Sequence, residues 1–274
     1  MKDMQIIVDS TCDMTPEEAK ATGVTVKILK VFFGEDGYRD KIDLSGEDFF
    51  RKLKASDLMP TTTMVTPEDF KEEFERHPDE DILVITIANQ LSGTCQSAWL
   101  SKTESGRQDI YVVDSGSATI GHLCLVREAV RLRDAGKSAR EIHETLEKIK
   151  PRIRVYAVVD TLKYLVKGGR LSGAAGALGT ILSLKPIIQI RDGAVTSAEK
   201  AHGARGAIRK LARMVEKEPA DSSLPMAYAH AGDLDTLKEL TEKLGIEAPA
   251  GWLGSVVGAH SGPGAVVFAY FAMA

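Results

Sequence analysis

The run Ile82-Leu-Val-Ile-Thr-Ile87 limits this chain more than any other feature. It has no polar face to offer to water, so it predicts a strand in a parallel sheet that is covered on both sides. Gln5-Ile-Ile-Val-Asp9 and Ile110-Tyr-Val-Val-Asp114 have the same character. Helix signals lie between these runs. Thr15-Pro16-Glu17-Glu18 supplies an N-cap, a proline at the first helical position and a capping acid. Ser45-Gly-Glu-Asp48 opens a helix with Phe49, Phe50 and Leu53 on one face, and Thr66-Pro67-Glu68-Asp69 opens another that carries Phe70 and Phe74. Val24 to Phe33 reads as a strand, and Ala118 to Arg133 and Ser138 to Lys148 read as helices. Such alternation predicts a parallel sheet wound by crossover helices, with any ligand at the carboxyl ends of its strands.

After Pro151 the texture changes. Val155 to Asp160 reads as a strand, Gly168 to Gly179 is glycine-rich, and Ile187 to Ile190 and Ala194 to Ser197 flank Asp192-Gly193 as a hairpin. A helix from about Ala201 to Lys217, a strand at Met226 to His230, a helix from Asp233 to Leu244 and two C-terminal strands follow. The fold class is therefore α/β with two domains. Residues 1–155 form a mostly parallel sheet with crossover helices, and residues 156–274 form a mixed α+β domain. A chain of 274 residues has room for both.

Composition excludes several classes. With 43% hydrophobic and 27% charged residues the chain can build cores and is unlike a disordered one. A net charge of -4 gives no general attraction for nucleic acid. Cys12, Cys95 and Cys124 show no C-x-x-C spacing, which argues against a disulfide framework or a zinc site and fits a reducing, cytoplasmic setting. The first apolar run meets Asp9 too soon to be the core of an export signal. Ala248 to Ala274 lacks Asp, Glu, Lys and Arg, but His260 and Gly262-Pro-Gly264 lie near its middle. It reads as two buried strands flanking a turn, not as a transmembrane segment.

Four segments carry chemistry. Leu91-Ser92-Gly93-Thr94 follows a strand and precedes a helix, which brings hydroxyls and free N–H groups together. The same pattern reads equally as a plain helix cap. Thr61-Thr62-Thr63 lies in an expected loop. Lys167-Gly-Gly-Arg170-Leu-Ser172-Gly-Ala-Ala-Gly176-Ala-Leu-Gly179 matches neither a Walker A loop nor G-x-G-x-x-G, so a nucleotide is disfavoured. Its Gly173, Ala174, Gly176 and Gly179 suit close packing or the thin wall of a channel. Gly258-Ala-His260-Ser-Gly-Pro-Gly264 places a histidine in an expected turn, where it needs a polar partner. Asp9-Ser10 and Asp114-Ser115 read first as strand ends and caps. A hydrolase triad built from Ser92 or Ser115 with His260 lacks G-x-S-x-G, and no histidine pair has metal-ligand spacing.

Taken together, Asp9-Ser-Thr-Cys-Asp13, Leu91-Ser-Gly-Thr-Cys-Gln-Ser-Ala98, Val113-Asp-Ser-Gly-Ser-Ala118, Asp160 to Ser172, Leu184-Lys-Pro-Ile187 and Gly258 to Gly264 strongly resemble the DegV family of bacterial fatty-acid-binding proteins. The resemblance implies two α/β domains with one long-chain fatty acid between them, its tail in a tunnel and its carboxylate held where the domains meet. It implies no cofactor and no chemistry by the chain itself. An ATP-dependent fatty acid kinase partner phosphorylates the presented carboxylate to an acyl phosphate, and transient membrane contact serves lipid exchange. By this similarity Thr62, Ser92, Gly93, Thr94, Arg170 and His260 meet the carboxylate. Arg170, Arg205, Arg209 and Lys210 are the expected basic surface for the kinase. The rival reading is a serine-dependent lipid or ester hydrolase. Thr62-Thr-Met64-Val65-Thr66 replaces the family's usual Thr-Ser-Gln-Pro-Ser, and Cys95 stands where an aromatic residue is common.

Overall fold

In the computed structural model, which describes residues 3–173 and 184–274, the three apolar runs line up in one sheet. The first is β1 (Met4–Asp9). A single turn over Ser10–Cys12 leads to α1 (Pro16–Thr22), which Thr15 caps by accepting from the Glu18 amide. The expected strand Val24 to Phe33 divides into two. β2 (Thr25–Lys27) pairs with β1, whereas β3 (Lys30–Phe33) joins a separate antiparallel sheet with β4 (Asp36–Arg39). The break comes at Leu29, whose amide donates to Ser10 Oγ at 3.2 Å instead of to a neighbouring strand. α2 (Gly46–Ala55) follows, and β5 (Thr61–Thr62) then completes the small sheet in the order β4-β3-β5. Thr62 therefore stands on a strand, opposite Val31, and not in a loop.

α3 (Pro67–Arg76), β6 (Asp81–Thr86), α4 (Thr94–Ser105), β7 (Ile110–Asp114), α5 (Thr119–Asp134) and α6 (Ala139–Ile149) finish this part. The larger sheet has the order β2-β1-β6-β7 and is parallel throughout, as the buried runs predicted. Its winding direction reverses between β1 and β6, and such a switch point leaves a crevice at the strands' carboxyl ends.

A third, six-stranded sheet begins with β8 (Ile153–Val158), so residue 155 lies inside a strand. α7 (Lys163–Lys167) follows, then β9 (Leu184–Arg191) and β10 (Ala194–His202). These two strands turn at Asp192 (φ 52°) and Gly193 (φ 81°), the positive-φ pair that Asp-Gly serves in a tight hairpin. α8 (Gly203–Lys217), β11 (Ala227–His230), α9 (Leu234–Leu244), β12 (Ala250–Trp252), α10 (Ser255–Ser261) and β13 (Val266–Phe271) complete the order β10-β9-β8-β13-β11-β12. Only β11 and β12 pair in parallel.

The C-terminal reading needs correction here. His260 sits in the last turn of α10, a helix between the two strands, and not in a turn. Ser-Val-Val-Gly has poor helix propensity, and tertiary contacts to the first turn of α10 override it.

Strand alternation gives the six-stranded sheet two different faces. Tyr156, Val158, Ile187, Phe268 and Tyr270 pack under α8 and α9. Val155, Ala157, Ile188, Ile190 and Val267 point the other way, toward the parallel sheet. α5 touches β6 on one side and β8, β11 and β13 on the other, which explains why it is apolar nearly all round. Small side chains on the inner face leave space there.

Candidate ligand cavity

A cavity of about 260 Å³ occupies that space. One buried water needs only about 10–15 Å³, and close-packed interiors leave few larger voids, so this is a built feature. Thr11 follows β1, and Ile87, Leu91, Ser92 and Gly93 follow β6; all five line the cavity. They are the residues that the switch point between these strands brings to one crevice. The opposite wall is apolar and comes from β8, β9, β10 and β13, while α10 and β5 close one end.

The polar groups gather there. His260 Nε2 and Thr62 Oγ1 are 3.0 Å apart, joining α10 to the small sheet. At the start of α4, Ser92 Oγ accepts from the Thr94 amide at 3.3 Å and lies 3.0 Å from Thr94 Oγ1. No side chain caps α4 at Gly93 itself. Arg170 donates from Nε to the Leu91 carbonyl (3.2 Å) and from Nη1 to the Gly168 carbonyl (2.6 Å). Among the described residues no carboxylate pairs with it, although it lines a mostly apolar cavity. Thr62, Ser92, Gly93, Arg170 and His260 thus share one lining. Thr94 does not join them: it is fully buried and accepts from the Val65 amide at 3.2 Å, so it braces Ser92 and the segment before α3.

Burial and the nearby Arg170 charge depress the His260 imidazole to about 4, so without a ligand it is neutral at pH 7. Its Nδ1 is buried without a partner among the described residues. Nothing there orients the ring as a triad aspartate does, so the Asp–His half of the hydrolase reading is missing. Ser115 is 1% exposed and donates to the Ser117 carbonyl at 3.1 Å, which removes it as a nucleophile. Asp9 accepts from the Thr11 and Ile87 amides, and Asp114 from the Asn89 and Gly116 amides; both pin loops at strand ends. The described residues contain no group of three metal-ligand side chains and no helix long and apolar enough to cross a membrane.

Met64 and Cys95, two departures from the family pattern, now have places. A Cβ built on Gly93 would lie 2.5 Å from Met64 Sδ, so the thioether packs directly on the glycine at the cavity wall. Cys95 is 3% exposed and burial pushes its thiol up, leaving it a small apolar filler. Val65 is likewise buried. The grouping of basic residues is not maintained. Arg205, Arg209 and Lys210 lie on α8, across the six-stranded sheet from Arg170 and the cavity. Arg205 pairs with Glu239 at 3.3 Å and Lys210 with Glu199 at 2.8 Å. Of the small residues read as a channel wall, Ala174, Gly176 and Gly179 lie outside the described residues.

Sequence reasoning missed Thr11, Thr119 and Gly168. Thr11 was legible only as part of the Asp9 to Asp13 motif and Thr119 only as the residue after the Val113 to Ala118 motif; both line the cavity. Gly168 packs against His260, where any Cβ would strike Nδ1.

Comparison with known proteins matches this architecture along its length. The model of the DegV family, described as an uncharacterised protein family, matches residues 3–273. The chain belongs to the DegV family. A DegV domain-containing protein of Deinococcus radiodurans is 33% identical over 274 residues, covering 95% of each chain. A DegV family protein from Thermus thermophilus, whose structure describes fatty acid binding, superposes with a TM-score of 0.90 at 29% identity over all of both chains. A DegV family protein from Ruminococcus gnavus, solved with vaccenic acid, gives 0.85 at 26% identity over 97% of this chain and 99% of that one.

Proposed function

We propose that this protein holds one long-chain fatty acid in the cavity and presents its carboxylate to an ATP-dependent kinase subunit, without chemistry of its own. The observation that carries this reading is an arginine with no described carboxylate partner, beside two hydroxyls and a neutral histidine, at one end of an apolar void. Each buried methylene of a tail contributes about 0.8 kcal/mol, so a dozen or more offset the costs of association. The carboxylate then needs partners. Arg170 supplies charge, and Thr62, Ser92 and the Gly93 backbone supply neutral donors. An acid head beside His260 opposes the desolvation that keeps the ring neutral, so ligand and ring stabilise each other's charge. The relatives described with fatty acids support this ligand class. A partner that transfers phosphate from ATP needs one carboxylate oxygen accessible. That step belongs in the cytoplasm, where ATP is available.

Extraction of freshly purified protein with organic solvent, followed by mass spectrometry, should release close to one fatty acid per chain. An empty extract from protein that also fails to bind added fatty acid would end the proposal. His260→Ala should weaken fatty-acid retention about tenfold, the scale of one charge-assisted hydrogen bond, and slow acyl-phosphate formation with the kinase while the fold persists. Unchanged retention and turnover would remove His260 from the site.

A further inference from the structure

α10 has seven residues and no side-chain cap of its own, yet it must carry His260 to within 3.0 Å of Thr62. We propose that Asp13 and Asp40, two buried carboxylates from distant parts of the chain, are positioning residues that clamp the start of α10 and thereby aim His260 at the head group. The role of His260 rests on the fatty-acid reading above; the clamp itself does not.

The contacts are direct. Asp13 Oδ1 accepts from the Gly254 amide at 2.9 Å, and Asp40 Oδ1 accepts from both the amide and the hydroxyl of Ser255 at 2.8 and 2.7 Å. These are the donors that a helix start leaves unpaired, and a carboxylate there is further favoured by the helix dipole. The two acids come from separate places: Asp13 follows β1, and Asp40 follows β4. Lys41 joins them to the rest, pairing with Asp13 at 3.2 Å and donating to the Ser10 and Met14 carbonyls. Thr119 donates to the other oxygen of Asp13 at 2.5 Å, and its residue also lines the cavity.

The chain accepts strain and desolvation at this place. Asp13 is 7% exposed and Asp40 is fully buried, and burying carboxylates is unfavourable unless partners compensate. Asp13 and Lys41 at φ 60° and Thr119 at φ 51° are three of the four non-glycine residues with positive φ among those described. Such conformations are unfavourable for non-glycine residues and persist only where surrounding contacts hold them. Gly254 completes the fit, since a Cβ there would meet Asp13 Oδ1 at 2.8 Å and Lys41 Cε at 2.9 Å. The far end of α10 is held as closely, by Gly168 against His260. A helix of two turns held at both ends has no freedom to slide.

The test compares palmitate with methyl palmitate, which share a tail and differ in head charge. The native protein should prefer the acid by about tenfold or more. Asp40→Ala should cut that preference about threefold or more while ester affinity holds and Arg170 still attracts the acid, and Asp40→Asn, which keeps an acceptor for Ser255, should restore most of it. Full preference in Asp40→Ala, or equal loss of acid and ester binding, would overturn the clamp. A ligand-free readout keeps the two readings apart. The His260 ring resonances should shift in Asp40→Ala and return toward native in Asp40→Asn. Ring signals unmoved in Asp40→Ala overturn the clamp, whereas a native protein that binds neither probe overturns only the fatty-acid reading. Should Asp40→Ala not fold, Gly254→Ala crowds both carboxylates, at 2.8 Å from Asp13 Oδ1 and 3.1 Å from Asp40 Oδ1, and must shift the same ring signals, or the clamp fails.

Discussion

At the scale of the residue, the neutrality of His260 has a consequence for stability. Its folded value of about 4 lies below the ordinary 6.5 of an unfolded chain, so between those pH values the unfolded state binds more protons. Unfolding free energy of the ligand-free protein should therefore fall as pH drops from 6.5 toward 4. His122 and His230, also depressed by burial, act in the same direction. Denaturant titrations across this window should show a smaller loss of unfolding free energy for His260→Gln, by roughly 3 kcal/mol at the acid end. An identical loss would mean that the imidazole is not desolvated.

Two glycines of the site differ in what surrounds them. Gly93→Ala meets only the far end of the flexible Met64 side chain, which can swing aside, so fatty-acid retention should stay within about twofold of native. Gly168→Ala meets the His260 ring and the Tyr164 carbonyl, the latter at 2.9 Å, and neither can yield without moving α10 or α7. Retention measured by extraction should fall about tenfold or more there, since overpacking at rigid neighbours costs roughly 1–3 kcal/mol.

At the scale of elements, α10 is held chiefly by other elements. Its Gly258 lets Phe49 and Phe50 of α2 approach so closely that a Cβ would lie 2.7 Å from each ring. Gly258→Ala should lower unfolding free energy by about 1–3 kcal/mol in denaturant titration, because two buried aromatic rings must shift. An unaltered midpoint would show that α2 and α10 are loosely packed. Elements with strong local signals behaved differently. Thr66 and Asp69 form the reciprocal cap expected of α3, and Ser138 and Glu141 do the same for α6. The strand around Leu29 misled because the apolar, β-branched run from Val24 to Phe33 continues through it while a remote serine takes the Leu29 amide.

At the scale of the whole molecule, the cavity is the space between two sheets that meet through α5. Ala157 stands on its inner wall, on β8 between Val267 and Ile188. Ala157→Leu places three further carbons in the void, and the extracted fatty acids should shift toward shorter chains without loss of fold. An unchanged chain-length profile would place the tail elsewhere. Because the same sheet separates α8 from this space, reversing the charges of Arg205, Arg209 and Lys210 should leave retention as it is in the native protein.

Local order was written in the sequence because it depends on near neighbours: buried runs without a polar face, caps at fixed spacing, and a positive-φ Asp-Gly turn. The signatures of Ser92, Thr62, Arg170 and His260 were likewise legible as motifs. What joined them was not. Thr62 and His260 are 198 residues apart in sequence, and their contact exists only because two sheets, a small hairpin sheet and α10 converge. The helical state of α10, the neutrality of its histidine and the separation of Arg170 from α8 all follow from burial and remote hydrogen bonds, which a local pattern of residues does not contain.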